Sequence, residues 1–170
     1  MRALIALAAT ILVAGCAAPH ADTHSASHHE KYSARPYDQH DVAMPAVDAA
    51  LAEAAASGKH VLLVMGANWC HDSRGLAGLL ETPRFAELVA ASYVPVFIDA
   101  GKPRDDAANN MEVARRFGVD RLIGTPNVFV INGDGERLNS VENVTGWTDA
   151  ASREEDAIYD FLASMAPTAS

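Results

Sequence analysis

Apolar and polar positions along the chain alternate between helical and strand spacing. Val47, Ala50, Leu51 and Ala54 recur at the period of a helix, which Gly58 closes. The run "HVLLVMGA" that follows suits a buried strand. Cys70 to about Glu81 reads as a helix with Leu76, Leu79 and Leu80 inward, weakened by Gly75 and Gly78. Thr82-Pro83 marks a restart, a cap followed by proline in the first turn, with Phe85, Leu88 and Val89 on one face. "YVPVFIDA" predicts a second strand. Asp105 to Phe117 predicts a helix with Ala107, Met111 and Ala114 aligned, stopped by Gly118. "PNVFVI" and "ERLNSVENV" flank the turn signal Asn132-Gly133-Asp134-Gly135 and predict an antiparallel hairpin. Ser152 and Glu155 form a capping-box pattern ahead of Ile158, Phe161, Leu162 and Met165. Parallel strands joined by crossovers and finished by a hairpin indicate an α/β three-layer domain with a central mixed sheet, over residues 44–166.

The polar stretch 17–43 lacks periodicity and reads as a flexible tether. It holds five of the seven histidines, His20, His24, His28, His29 and His40. A His-rich tract can bind metal, but no carboxylate or thiol spacing here defines a metal site. Ahead of it, Arg2 and "ALIALAATILVAG" are too short for a membrane span and suit the apolar core of an export signal over residues 1–15. That run ends in Val13-Ala14-Gly15-Cys16, which resembles the lipobox of bacterial lipoprotein precursors, with Val13 in place of the usual leucine. The resemblance implies cleavage before Cys16 and its lipidation. Ala17 after the cysteine favours the outer membrane, facing the periplasm.

Charge and cysteine usage narrow the function. With 170 residues and a formal charge of −9, the chain is a poor partner for nucleic acid, which wants a basic face. Of its two cysteines, acylation of Cys16 leaves Cys70 as the single thiol of the mature protein, so no internal disulfide can form. A cysteine at a helix N-terminus sits among unpaired backbone N–H groups at the positive end of the dipole, which favours thiolate. The chain carries no P-loop, Rossmann fingerprint, HExxH pair or Ser-His-Asp motif, and no cofactor is expected.

Trp69-Cys70-His71-Asp72-Ser73 directly after a strand, Gly124-Thr125-Pro126 about 55 residues later, and a hairpin followed by a helix together resemble the thioredoxin-like superfamily. Within it, "GKHVLLVMGANWC", "FAELVAASYVPVFID" and "RFGVDRLIGTPNVFVINGDG" look most like periplasmic members with an extra N-terminal helix. The resemblance implies a reactive Cys70 and a cis Pro126 packed beside its sulfur. It also implies a Thr125 backbone placed to pair with an extended substrate segment. Three departures stand out. Ser73 occupies the place of the family's second, resolving cysteine, and Val64 that of the buried aspartate which serves it. If Asp99 marks the next strand, Pro95 replaces the associated lysine.

One thiol can still attack a disulfide and hold a mixed disulfide until an outside thiol resolves it. The expected function is therefore thiol–disulfide exchange of isomerase or mixed-disulfide type through Cys70, with protein or small-molecule thiols and disulfides as partners and the membrane reached by a lipid anchor. Ser73 is expected to hydrogen-bond the Cys70 thiolate. Trp69 either covers the thiol and offers a contact surface or simply packs. His71, Asp72 and Arg74 either tune the sulfur or decorate a solvated helix start. A non-catalytic binding module using the groove around Trp69, Cys70 and Pro126 is the alternative. Envelope metal handling through Cys70, His71 and the histidine tether is a third.

Overall fold

The computed structural model describes residues 31–37 and 43–168. The signal segment, Cys16 and the five tether histidines lie outside the described residues.

The chain runs α1 (Ala43–Ser57), β1 (His60–Gly66), α2 (His71–Leu80), α3 (Pro83–Ser92) and β2 (Tyr93–Asp99). A small lobe follows, with β3 (Gly101–Lys102), a 3-10 turn (Pro103–Asp105) and β4 (Ala107–Ala108). Then come α4 (Met111–Arg116), β5 (Asn127–Ile131), α5 (Val141–Thr145), a second 3-10 turn (Ala150–Ser152) and α6 (Glu155–Ser164). The main sheet has the order β2-β1-β5, with β2 parallel and β5 antiparallel to β1.

Central placement explains the unbroken apolar run of β1, because both its faces are covered. Val61, Leu63 and Met65 face one core with α1, Val113, Phe117, Phe129 and Ile131. Leu62 and Val64 face a second core with Leu76, Leu79, Phe85, Ile158 and Leu162. The layers are thus α1 and α4, then the sheet, then α2, α3 and α6. Pro95 sits on the edge strand β2, where a missing N–H does no harm.

Several sequence expectations need correction. The second hairpin arm expected over residues 136–144 is no strand. It is reduced to a bridge between Ile131 and Arg137. Beyond it the Asn139 side chain takes over, accepting from Val130 N–H at 3.0 Å and donating to Val128 O at 2.8 Å. Ser140 then caps α5 by accepting from Asn143 N–H, so the chain coils where a ladder was expected. The helix expected over residues 105–117 begins only at Met111, since Asp106 and Asn110 adopt left-handed backbone. The capping box at Ser152 does not form. Ser152 Oγ donates to Asp149 O, and Glu154 occupies the N-cap position of α6.

Residues 31–37, which the sequence places in the tether, are packed on the domain as a strap along α2. Ala34 N–H donates to Arg74 O at 3.1 Å, and Lys31 pairs with Glu155 at 2.9 Å. Tyr37 is fully buried, edge-on to Phe97. The strap explains Gly78 in the middle of α2, because a Cβ there would lie 2.5 Å from Ser33 N.

Candidate active site

Register brings the site together. Antiparallel pairing of Met65 with Asn127 sets the Thr125-Pro126 turn beside the segment that leaves β1, and parallel pairing of Gly66 with Asp99 adds the end of β2. Cys70 is the N-cap residue of α2, with extended backbone at φ −83° and ψ 126°. Its Sγ–H donates to Thr125 O at 3.4 Å, across 55 residues of chain. The Thr125–Pro126 peptide is cis, as the resemblance implied.

Cys70 keeps 7% of its surface and lines a groove of about 450 Å³ together with Trp69, Asp72, Thr125, Thr148 and the 102–105 turn. Trp69 is 52% exposed, and its indole N–H donates to Gly101 O at 3.1 Å, which ties the indole to the lobe after β2.

Ser73 departs from its expected role. It is fully buried, and its hydroxyl has no hydrogen-bond partner among the described residues, Cys70 Sγ included. The helix turn directs this side chain inward, so the hydroxyl is enclosed without supplying a bond to sulfur.

Asp72 is no solvated dipole partner either. It is buried, with Oδ1 accepting from Ala151 N–H at 2.9 Å and Oδ2 lying 2.9 Å from His71 Nε2. This carboxylate joins the start of α2 to the 3-10 turn before α6. Arg74 likewise serves the backbone. Its guanidinium donates to the carbonyls of Asn68 at 3.1 Å and Trp69 at 3.3 Å, holding the loop that presents Cys70.

Some residues of the site escaped sequence reasoning. Asn68 clamps the strap, and the Tyr37 hydroxyl donates to Ser73 O at 3.1 Å. Burial pushes the Tyr37 hydroxyl well above the usual tyrosine range, and negative charge at Cys70 adds to the rise. An isolated tyrosine in a polar stretch gave no periodic signal of this. Lys102 and Arg104, also in the groove wall, lie between the expected β2 strand and the helix expected over residues 105–117, where no periodic pattern marked them. Asp99 holds this lobe by its base, accepting from Asn109 Nδ2 at 2.6 Å through its carboxylate and from Asn110 Nδ2 at 2.8 Å through its carbonyl.

Comparison with known proteins agrees with this geometry. A search of curated proteins returned no match. A solved structure described as a disulphide isomerase from Xylella fastidiosa Temecula1 is similar, at 34% identity and a TM-score of 0.67. The alignment covers 78% of this chain and 97% of that one. A family model described as thioredoxin-like matches residues 42–133, more than half of the chain. The chain belongs to the thioredoxin-like family.

Proposed function

We propose that this protein carries out thiol–disulfide exchange with a single reactive sulfur, Cys70, and depends on an outside thiol to complete each cycle. The observation that carries the proposal is Cys70 Sγ at the head of α2, 3.4 Å from Thr125 O and lining the groove, with a buried serine where a resolving thiol would stand. The similar disulphide isomerase supports exchange as the chemistry.

In this cycle the Cys70 thiolate attacks one sulfur of a substrate disulfide. A Cys70–substrate S–S bond forms, and the other sulfur leaves as thiolate and is protonated by water. A second thiolate, from the substrate or from a separate molecule, then attacks the mixed disulfide and returns Cys70 as thiolate. No net oxidation is needed when the attacking thiol belongs to the same client, which is isomerisation. The test is intact-mass analysis of the mature chain after exposure to a small disulfide. One adduct on Cys70, removed by added thiol and absent from Cys70→Ala, supports the cycle, and an unmodified folded chain refutes it.

The protein is further proposed to act in the bacterial envelope, anchored through acylated Cys16 and facing the periplasm, probed by whether Cys16→Ala leaves the membrane fraction. A non-catalytic binding module has one observation in its favour: Trp69 and Ile123 are 52% and 55% exposed, each adjacent in the chain to a groove-lining residue. Cys70→Ala separates the two readings, since a groove binder keeps its partner. For metal handling, no group of three His, Cys, Asp or Glu side chains among the described residues is placed to hold an ion.

A further inference from the structure

The groove beside Cys70 has a cationic wall. Lys102 and Arg104 both line it, both are exposed, and neither side chain has a hydrogen-bond or ion-pair partner among the described residues. In a chain of formal charge −9, two unpartnered cations at one groove run against the overall field. Their placement is built in. Lys102 pairs with Ala107 in the β3–β4 ladder, whose base is held by Asp99 and whose Gly101 carbonyl is bonded to Trp69.

Arg104 is seated against Gly124. A Cβ on that glycine would lie 2.6 Å from Thr148 Cγ2 and 3.3 Å from Arg104 Nε. The guanidinium thus packs close to the backbone one residue from Thr125, whose carbonyl touches Cys70 Sγ. Thr125 adds a buried hydroxyl with no partner among the described residues. Two acidic groups share the groove. Asp72 is already engaged by Ala151 N–H and His71, and Asp105, exposed in the same turn, offsets one of the cations.

Resting on the exchange cycle above, we propose that Lys102 and Arg104 form a subsite for a carboxylate carried by the substrate disulfide close to the sulfur that Cys70 attacks. Guanidinium and ammonium groups suit this ligand, the former through paired N–H donors. Cys70 thiolate attacks the carboxylate-bearing half and forms the new S–S bond. The other half leaves as thiolate and takes a proton from water, while the retained carboxylate rests between the two cations. The carboxylate can belong to a small diffusible disulfide or to an acidic residue beside a client cysteine.

The test compares single-turnover rates of the mature chain with an aromatic disulfide bearing a carboxylate on each ring and with uncharged dipyridyl disulfide. The anionic-to-neutral rate ratio should fall about five- to tenfold in Lys102→Gln/Arg104→Gln, the scale of two exposed charge contacts. It should rise in Asp105→Asn, a variant that keeps the test open if the double variant folds poorly. An unchanged ratio in both variants overturns the subsite while leaving exchange intact, whereas a wild-type Cys70 inert to both probes overturns exchange and the subsite together. Peptide mixed disulfides carrying Glu or Gln beside the cysteine identify the source. A preference for Glu that is lost in the double variant assigns the carboxylate to polypeptide clients, and a preference confined to the small probe assigns it to a diffusible disulfide.

Discussion

Asn68 grips Tyr37 by both sides of its backbone: Asn68 Oδ1 accepts from Tyr37 N–H at 3.3 Å, and Asn68 Nδ2 donates to Tyr37 O at 2.5 Å. The residue two places before Cys70 therefore fastens the N-terminal strap, and the ring it fastens is buried in the same core as α2.

Tyr37→Ala should destabilise the domain by about 3–5 kcal/mol, the range for emptying a buried aromatic site. Tyr37→Phe should cost about 1 kcal/mol by leaving Ser73 O without its donor. Urea unfolding measures both, and a loss below 1 kcal/mol for the alanine variant would mean that the strap does not hold in solution.

Alkaline pH should act on this same contact. Burial raises the Tyr37 and Tyr93 hydroxyls above the usual tyrosine value, so the folded state retains protons that the unfolded state gives up. Their stabilisation is complete below about pH 10, where an unfolded tyrosine is protonated, and declines as pH rises from there toward the raised folded values. Tyr37→Phe should show a shallower decline than wild type in urea midpoints taken from about pH 8 to 11. Equal slopes would remove Tyr37 from the account.

Asp72→Ala leaves Ala151 N–H buried and unpaired, at an expected cost of about 1–3 kcal/mol. Hydrogen exchange at Ala151 should accelerate selectively. Unchanged protection there would show that the 3-10 turn is held by packing alone.

Ser73→Cys supplies the missing sulfur at a buried site whose hydroxyl now has no partner among the described residues. Cys70–substrate mixed disulfides should then decay intramolecularly, at least about 100-fold faster than in wild type under equal external thiol, given the effective concentrations of oriented groups. Comparable lifetimes would mean that position 73 cannot reach the Cys70 sulfur.

Much of this architecture is legible in the chain. The apolar run of β1, the spacing of Val47, Ala50, Leu51 and Ala54, and Leu76 with Leu79 and Leu80 all report burial directly, because one element buries one stripe or two faces. The meeting of Cys70 with Thr125 was legible only through resemblance, since the β1–β5 register that creates it involves no local pattern. What escaped depends on single side chains. Tyr37 packs alone from a polar stretch, and Asp106 with Asn110 turns a plausible helical period into a lobe. Ser73 shows the limit at the site itself, because sequence names the residue but not the helix turn that leaves its hydroxyl without a bond to sulfur.

The most direct measurement is acid-quenched trapping of Cys70 in intact cells, followed by mass spectrometry of whatever the sulfur carries. The account predicts covalent S–S adducts at Cys70 that outlast those of the Ser73→Cys variant and vanish with Cys70→Ala. A sulfur that bears nothing and resists alkylation while the domain is folded would contradict it.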